Sequence, residues 1–344
     1  MKTNIAITLD KIKKNAHGRA TAFVIGNTSD LFTKGRYYET PMRETSELIY
    51  GGVIVRDVAT ARAIARLVDG KVDYVFVDDE KKIRRIYYGS NDVGNIEKTL
   101  RAVVKKSELI TYKGNDLAVD AVDTLFQNVS KDVGAMKVAV IGMGNLGSKI
   151  ALKLVERGAH ISAFRRDKKK LKLIIAGLNA VKSEYTLASI TGSKDITSAC
   201  RDALVVIGVT NEKSVITRDM LGDVAPGAIL VDAGKGCFSD EIINDHNFTV
   251  YRVDVSFMQK YIFSGLIGAH CHFSKSLGRR HIPELNVNII SLGLVGRCGE
   301  FVVDDISNPS VIIGVVATRG ILENKTPRVE KSIEELKKVF KIKL

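Results

Sequence analysis

Apolar residues along the chain fall into short runs separated by polar turns, and their spacing alternates between two periods. TAFVIGN (21–27) and DYVFV (73–77) are compact apolar runs followed by polar residues, the pattern of buried strands. Between them VATARAIARLV repeats its apolar positions at helical spacing, with Asp57 placed to cap the helix and Gly70 to end it. NIEKTLRAVV (95–104) predicts a further helix, and SELITY (107–112) a return to strand. This alternation implies an α/β domain over about the first 110 residues. Within it, RYYETPMRETSELIYGG (36–52) reads as a polar and aromatic loop whose Arg36, Arg43 and Ser46 are available to an anionic substrate. Asp78, Asp79 and Glu80 read as a strand-to-helix turn.

NDLAVDAVDTLFQNVSKDV (115–133) places Leu117, Val119, Val122 and Leu125 on one stripe and predicts a helix linking two domains. Alternation then resumes with KVAVIG, the helix LGSKIALKLVERG, HISAF, a basic helix, and AVKSE (180–184) as a third strand. After another helix come ALVVIGV (203–209), AILVDAG (228–234) and FTVYRVD (248–254). Six strands joined by crossovers make a complete Rossmann dinucleotide-binding domain. The expected fold class is therefore α/β, with a smaller α/β substrate domain and linking helix (1–133) ahead of a Rossmann domain (134–260). Residues 261–344 are expected to complete the cleft and pack back on the first domain, being too irregular for a third one.

Composition narrows the class. The 344 residues suit two domains, and 45% hydrophobic with 26% charged residues is a soluble globular balance. The opening MKTNIAITLDKIKK lacks the apolar core of a signal peptide, and SVIIGVVATRGIL is broken by Arg319, so no membrane association is expected. Cys200, Cys237, Cys271 and Cys298 form no CxxC pair and read as reduced thiols of a cytoplasmic protein. The formal charge is +13, with lysine clusters at 168–172 and in the final KKVFKIKL. No RNP-like run or zinc-finger spacing accompanies them. The charge is thus expected to steer a small anionic substrate, not nucleic acid.

The chemistry concentrates in KVAVIGMGNLGSKIALKLVERGAHISAFRRD (137–167). Gly142, Gly144 and Gly147 stand as G-x-G-x-x-G between an apolar strand and the helix LGSKIALKLVERG, and Asn145 and Leu146 are expected to join them in holding the cofactor. The first glycine permits a tight turn, the second lets a pyrophosphate approach the backbone, and the third lets helix and strand pack closely. The helix N-terminus offers unpaired N–H groups and partial positive charge. An acidic residue normally follows the second strand and accepts from the ribose 2′-OH of NAD; here Arg165 and Arg166 follow it, eighteen and nineteen residues after Gly147. Arginine pairs bidentately with a 2′-phosphate, and Lys168 adds charge nearby, so the expected cofactor is NADP(H). Val209 and Thr210, ending ALVVIGV, are expected to border it.

From Lys137 to His270 the chain resembles the coenzyme half of the D-2-hydroxyacid dehydrogenase superfamily. DMLGDVAPGAILVDAGKGCFSDE (219–241) is similar to the stretch ending that family's fifth Rossmann strand, where an A-R-G-G-like turn carries a catalytic arginine. Lys235 occupies the arginine's place. YRVDV (251–255) resembles the next strand, and the family's catalytic glutamate matches Gln259. LIGAHCHF (266–273) looks like the segment with the catalytic histidine, which makes His270 the match and His272 the second choice. The resemblance implies hydride chemistry, while Lys235 and Gln259 depart from the family's arginine and glutamate. Shikimate and methylene-tetrahydrofolate dehydrogenases share the two-domain layout, and KGND (113–116) resembles the shikimate family's N-T-D, which would make Asp116 catalytic. The dipicolinate synthase reductase subunit is similar in layout.

His270, His272 and His281 fall within twelve residues, beside Arg279 and Arg280. A carbonyl or imine reductase needs a proton donor and positive charge near the acceptor. A metal site is an alternative, since His270 and His272 would share one face of a strand, and plain structural histidines are another. The expected protein is a homodimeric NADPH-dependent oxidoreductase acting on an oxo acid, hydroxy acid or imine, with Lys235, His270 and His272 as catalytic candidates. The alternatives are a non-turnover NADP(H)-binding sensor or scaffold and a shikimate- or methylene-tetrahydrofolate-dehydrogenase-like enzyme.

Overall fold

Helix α1 (Lys2–Lys14) places Ile5, Leu9 and Ile12 on one side and buries them against a sheet. That sheet is made of β1 (Ala20–Asn27), β2 (Tyr37–Glu44), β3 (Leu48–Val55), β4 (Tyr74–Asp78) and β5 (Glu108–Tyr112), ordered β2-β3-β1-β4-β5. All neighbours are parallel except β2, which runs antiparallel to β3. Helices α2 (Val58–Val68) and α3 (Glu97–Val103) join α1 over the same core, where Phe23, Ile25, Val75 and Val77 meet Ile64, Val68 and Leu100. Asp57 caps α2 as expected, its carboxylate accepting from Thr60 N at 2.7 Å. The computed structural model describes residues 2–28, 35–80, 96–129, 134–323 and 326–342. The predicted helix start at Asn95 and helix end at 130–133 lie outside them.

The segment 36–52 is not a loop. It contains β2 and most of β3, and β3 (LIYGGVIV) is buried along nearly its whole length. The paired glycines in its middle imitate a turn signal, but they serve strand packing. A Cβ on Gly52 would stand 2.3 Å from Val24 O on the neighbouring β1. On β2 the register shifts between Thr40 and Arg43, around Pro41.

Helix α4 (Gly114–Val129) leads into a second sheet of six parallel strands. In chain order come β6 (Lys137–Ile141), α5 (Asn145–Glu156), β7 (His160–Phe164), α6 (Lys168–Val181), β8 (Ile190–Gly192) and α7 (Ile196–Cys200). Then follow β9 (Val205–Gly208), β10 (Ile229–Asp232), α8 (Asp240–Ile243) and β11 (Thr249–Arg252). The order β11-β10-β9-β6-β7-β8 is that of a complete Rossmann domain, with the reversal at β6 and β9. One strand expectation fails. AVKSE (180–184) is the end of α6 and the turn after it, and the third strand is Ile190–Gly192.

Three acidic residues of α4 face Lys149 and Lys153 of α5 and Arg157 at its C-cap. Asp116 pairs with Lys149 (2.5 Å) and Asp120 with Lys153 (2.6 Å), while Asp123 forms ion pairs with both Lys153 (3.6 Å) and Arg157. The one-turn spacing on each helix puts these pairs in a row. The linking helix is thereby fastened along the glycine-loop helix.

Residues Met1–Ile262 form one compact unit and Phe263–Leu344 another. Helix α9 (Val255–Cys271) ends in a π-helical turn, His272–Ser276. The second unit then builds its own sheet from β12 (Arg279–Ile282), β13 (Val287–Ser291), β14 (Phe301–Val303) and β15 (Ile312–Val315), in that order. Helix α10 (Pro327–Phe340), capped by Thr326, lays Val329 and Leu336 on Ile282, Ile289, Phe301 and Val303. The expectation of an irregular segment is corrected here: these 82 residues, 263 to 344, hold a core of their own. Their strands are three to five residues long, too short for a period of two to register in the sequence. Among the described residues no helix is long and apolar enough to cross a membrane.

Candidate dinucleotide site

Strand β6 supplies the apolar run that ends at Ile141, and the chain then turns through Gly142 at φ +113°. A Cβ at Gly142 would lie 2.4 Å from Val209 O, and one at Gly147 would lie 2.1 Å from Gly142 O. Both glycines are required by backbone contact. Gly144 differs. It is the N-cap of α5 in an extended conformation, and a Cβ there would meet nothing within 4 Å. No side chain caps the helix, so its first-turn N–H groups, beginning at Asn145 and Leu146, are not closed off by a capping group.

The open side of Gly144 faces a cavity of about 480 Å³. Its lining includes Gly142 and Gly144, the β7 end with Phe164, Arg165 and Arg166, and the β9 end with Val209, Thr210 and Glu212. Ile196 and Val215 give it an apolar wall suited to a flat base. The cavity therefore lies outside the carboxyl ends of β6, β7 and β9, where the strand order reverses, the general ligand position of open α/β sheets. Arg165 donates from Nη1 to Met143 O at 2.6 Å, tying the β7 end to the glycine turn. Its Nε is buried and has no acceptor among the described residues. Arg166 is largely exposed and pairs with Glu212 across the cavity at 2.7 Å. Lys168 sits over the Phe164 ring at 4.1 Å and donates to Ser193 O and Lys194 O, so its ammonium is committed to backbone carbonyls.

Lys235 occupies a loop after β10 whose shape is set from beneath. The buried Asp232 carboxylate accepts from Gly234 N (3.1 Å), Gly236 N (3.0 Å) and Cys237 N (3.4 Å), and pairs with Arg252 at 2.7 Å. Gly208 and Gly234 leave room for Cys237, whose Sγ accepts from Thr210 N at 3.4 Å and so joins this loop to the cavity wall. Burial pushes the Cys237 thiol up, so it works there as a neutral packing group. Lys235 is exposed at the loop tip and is not one of the residues lining the cavity. The place of Asp232 at a strand end before two glycines is the sequence signal for this role.

Gln259, at the position matching the family's glutamate, lies on α9 and hydrogen-bonds the buried Tyr112 of β5. Asp116, the shikimate-like candidate, is held by Lys149. His270 lies in the last turn of α9 and His272 begins the π-helical turn, so the two do not share a strand face. His281 lies on β12 with Nδ1 3.0 Å from Asn288 Oδ1. Among the described residues no group of three or more His, Cys, Asp or Glu could hold a metal ion.

Residues 137–249 match the family model for the NAD binding domain of 6-phosphogluconate dehydrogenase. A comparison with curated protein sequences finds no match. Among solved structures, the chain is similar to ornithine carbamoyltransferase from Pyrococcus furiosus at 13% identity, covering 78% of this chain and 94% of that one, with TM-score 0.44. Dipicolinate synthase A chain from Bacillus subtilis aligns at 12% identity over 73% and 96% of the two chains, with TM-score 0.34. Phosphoglycerate oxidoreductase from Vibrio cholerae o395 aligns at 10% identity over 68% and 83%, with TM-score 0.32. None of these overlays bears on activity. The family match names a dehydrogenase's dinucleotide-binding domain and not the D-2-hydroxyacid superfamily. The glycine turn, the uncapped α5 and the open face of Gly144 fit the same ligand. Residues 137–249 are a Rossmann domain for a nicotinamide dinucleotide.

Proposed function

We propose that this protein is an NADPH-dependent oxidoreductase that transfers a hydride to or from a small anionic substrate, an oxo acid, a hydroxy acid or an imine. One observation carries the reading: a single cavity is lined by the open Gly144 backbone at the uncapped start of α5 and by Arg165 and Arg166 at the end of β7. The helix end receives the pyrophosphate. Arg166 exchanges Glu212 for the 2′-phosphate, while Arg165, anchored on Met143 O, keeps its guanidinium beside it. A bound nicotinamide would supply or accept the hydride. Lys235, on the loop fixed by Asp232, pairs with the substrate's anionic group, while His270 and His272 are the candidates to test as proton donor.

Calorimetric titration tests the cofactor half. NADPH should bind at least about tenfold more tightly than NADH, about 1.4 kcal/mol. Arg166→Ala should remove most of that preference while leaving NADH within about threefold. Equal affinities in the parent chain would defeat the reading. Absorbance at the nicotinamide band, followed over a panel of oxo acids and imines, tests turnover.

A further inference from the structure

Among the described residues, two acids line the dinucleotide cavity, Asp167 and Glu212. The Asp167 carboxylate caps α6, accepting from Lys170 N at 3.0 Å, and is spent within its own helix. Glu212 differs. Its Oε1 accepts from Arg166 Nη2 at 2.7 Å, and a side-chain partner can be exchanged for a ligand. Of the three cations at this end, Arg165 is committed to Met143 O and Lys168 to Ser193 O and Lys194 O. Arg166 is the one whose partner is a side chain.

The loop holds Glu212 in place. Thr210 Oγ1 donates to Glu212 O at 2.8 Å and closes the backbone into a short turn. On one flank Thr210 N donates to Cys237 Sγ at 3.4 Å. On the other, Ser214 N donates to Gly236 O (2.7 Å) and Ile216 N to Cys237 O (2.9 Å). The carboxylate thus projects from a loop tied down at both ends. The pair itself is open to water, with the Arg166 and Glu212 side chains 80% and 56% exposed. An ion pair so exposed is weak and opens readily.

We propose that Glu212 sets the dinucleotide preference of this site by holding Arg166 against the 2′-phosphate, an inference that rests on the NADPH reading above. In the empty cavity its carboxylate occupies the guanidinium that the phosphate needs. NADPH must open the pair, and the phosphate takes the carboxylate's place on the fork. NADH brings an uncharged hydroxyl to the same end and leaves the pair closed. Arg166 and Glu212 therefore act in opposite senses on one charge. The arginine creates the preference for NADPH and the glutamate limits it.

Calorimetric titration of NADPH and NADH into Glu212→Gln decides the matter, since the amide keeps the shape of the side chain and loses its charge. NADPH should bind about threefold more tightly than to the parent, with NADH within about 1.5-fold. Damage to the loop would move both cofactors together, so the difference between them is the readout. With Arg166→Ala in place, the same substitution should change NADPH affinity by less than about 1.5-fold, because the competition has lost its object. In a parent that prefers NADPH, an NADPH affinity unchanged or lowered by Glu212→Gln would overturn the inference and leave the cofactor reading standing. An equal gain that survives Arg166→Ala would overturn it too, by showing repulsion without the pair. A parent that binds both cofactors equally would remove the cofactor reading, and this inference with it.

Discussion

A methyl group on Gly147 would press on Gly142 O at 2.1 Å, while one on Gly144 would enter open space. The two glycines of one motif should therefore fail in different ways. Gly147→Ala forces α5 away from the turn and should cost about 2–3 kcal/mol, visible as a lowered thermal midpoint. Gly144→Val should melt like the parent, since its φ of −96° and ψ of −157° suit a branched residue. It should bind the dinucleotide at least about tenfold more weakly, because the side chain occupies the phosphate's approach. A Gly144→Val protein with full affinity would remove the phosphate from this helix end. Lys235 calls for the converse measurement. Lys235→Ala should leave NADPH affinity within about threefold and lower turnover by two or more decades. Unchanged turnover would take Lys235 out of the chemistry.

Elements in this chain were legible where their cause is local. A strand, a glycine turn and an amphipathic helix lie within 31 residues at 137–167, and the dinucleotide site follows from them. Asp57 likewise announced α2. What the sequence concealed depends on neighbours distant in the chain. The stretch 36–52 reads as a loop because the closeness of β1 to Gly52 is written elsewhere. Val181 made AVKSE look like a strand, though its apolar side chain faces outward from a helix. The α4–α5 ladder was hidden for the same reason, since its acidic and basic halves stand about 33 residues apart. Asp123 serves two partners there and is mostly buried. Asp123→Ala should lower stability by about 1 kcal/mol at low salt, and by less at high salt because the row is partly exposed. A loss independent of ionic strength would assign Asp123 a packing role instead.

Over the whole molecule, the second unit carries an acid-sensitive point. Partial burial works to raise the Asp304 carboxyl, but the Ser310 hydroxyl and the Val311 and Ser310 N–H groups overcome it and hold the group down to about 2, against an ordinary 3.8. A depressed carboxyl stabilises the fold fully above its ordinary value and ceases to do so as pH falls through its folded value. Asp304 should thus contribute on the order of 1 kcal/mol above pH ~4 once solvent screening is allowed for, fading toward pH ~2. Ser310→Ala should melt below the parent at neutral pH, with the gap closing in acid. A gap that persists at pH ~2 would mean that the hydroxyl acts by some route other than ionisation.

The register shift around Pro41 has a further consequence for the molecule in solution. Strand β2 ends the first sheet on one side, and an open strand edge is a template on which other chains can pair. Pro41 offers no N–H to such a pairing, and the irregularity between Thr40 and Arg43 breaks the straight ladder that a newcomer would have to match. The flanking charges of Glu39, Arg43 and Glu44 add a cost to any apolar strand seeking that edge. The antiparallel strand is thus suited to terminate sheet growth, because an incoming strand finds at Pro41 neither a donor nor a straight ladder.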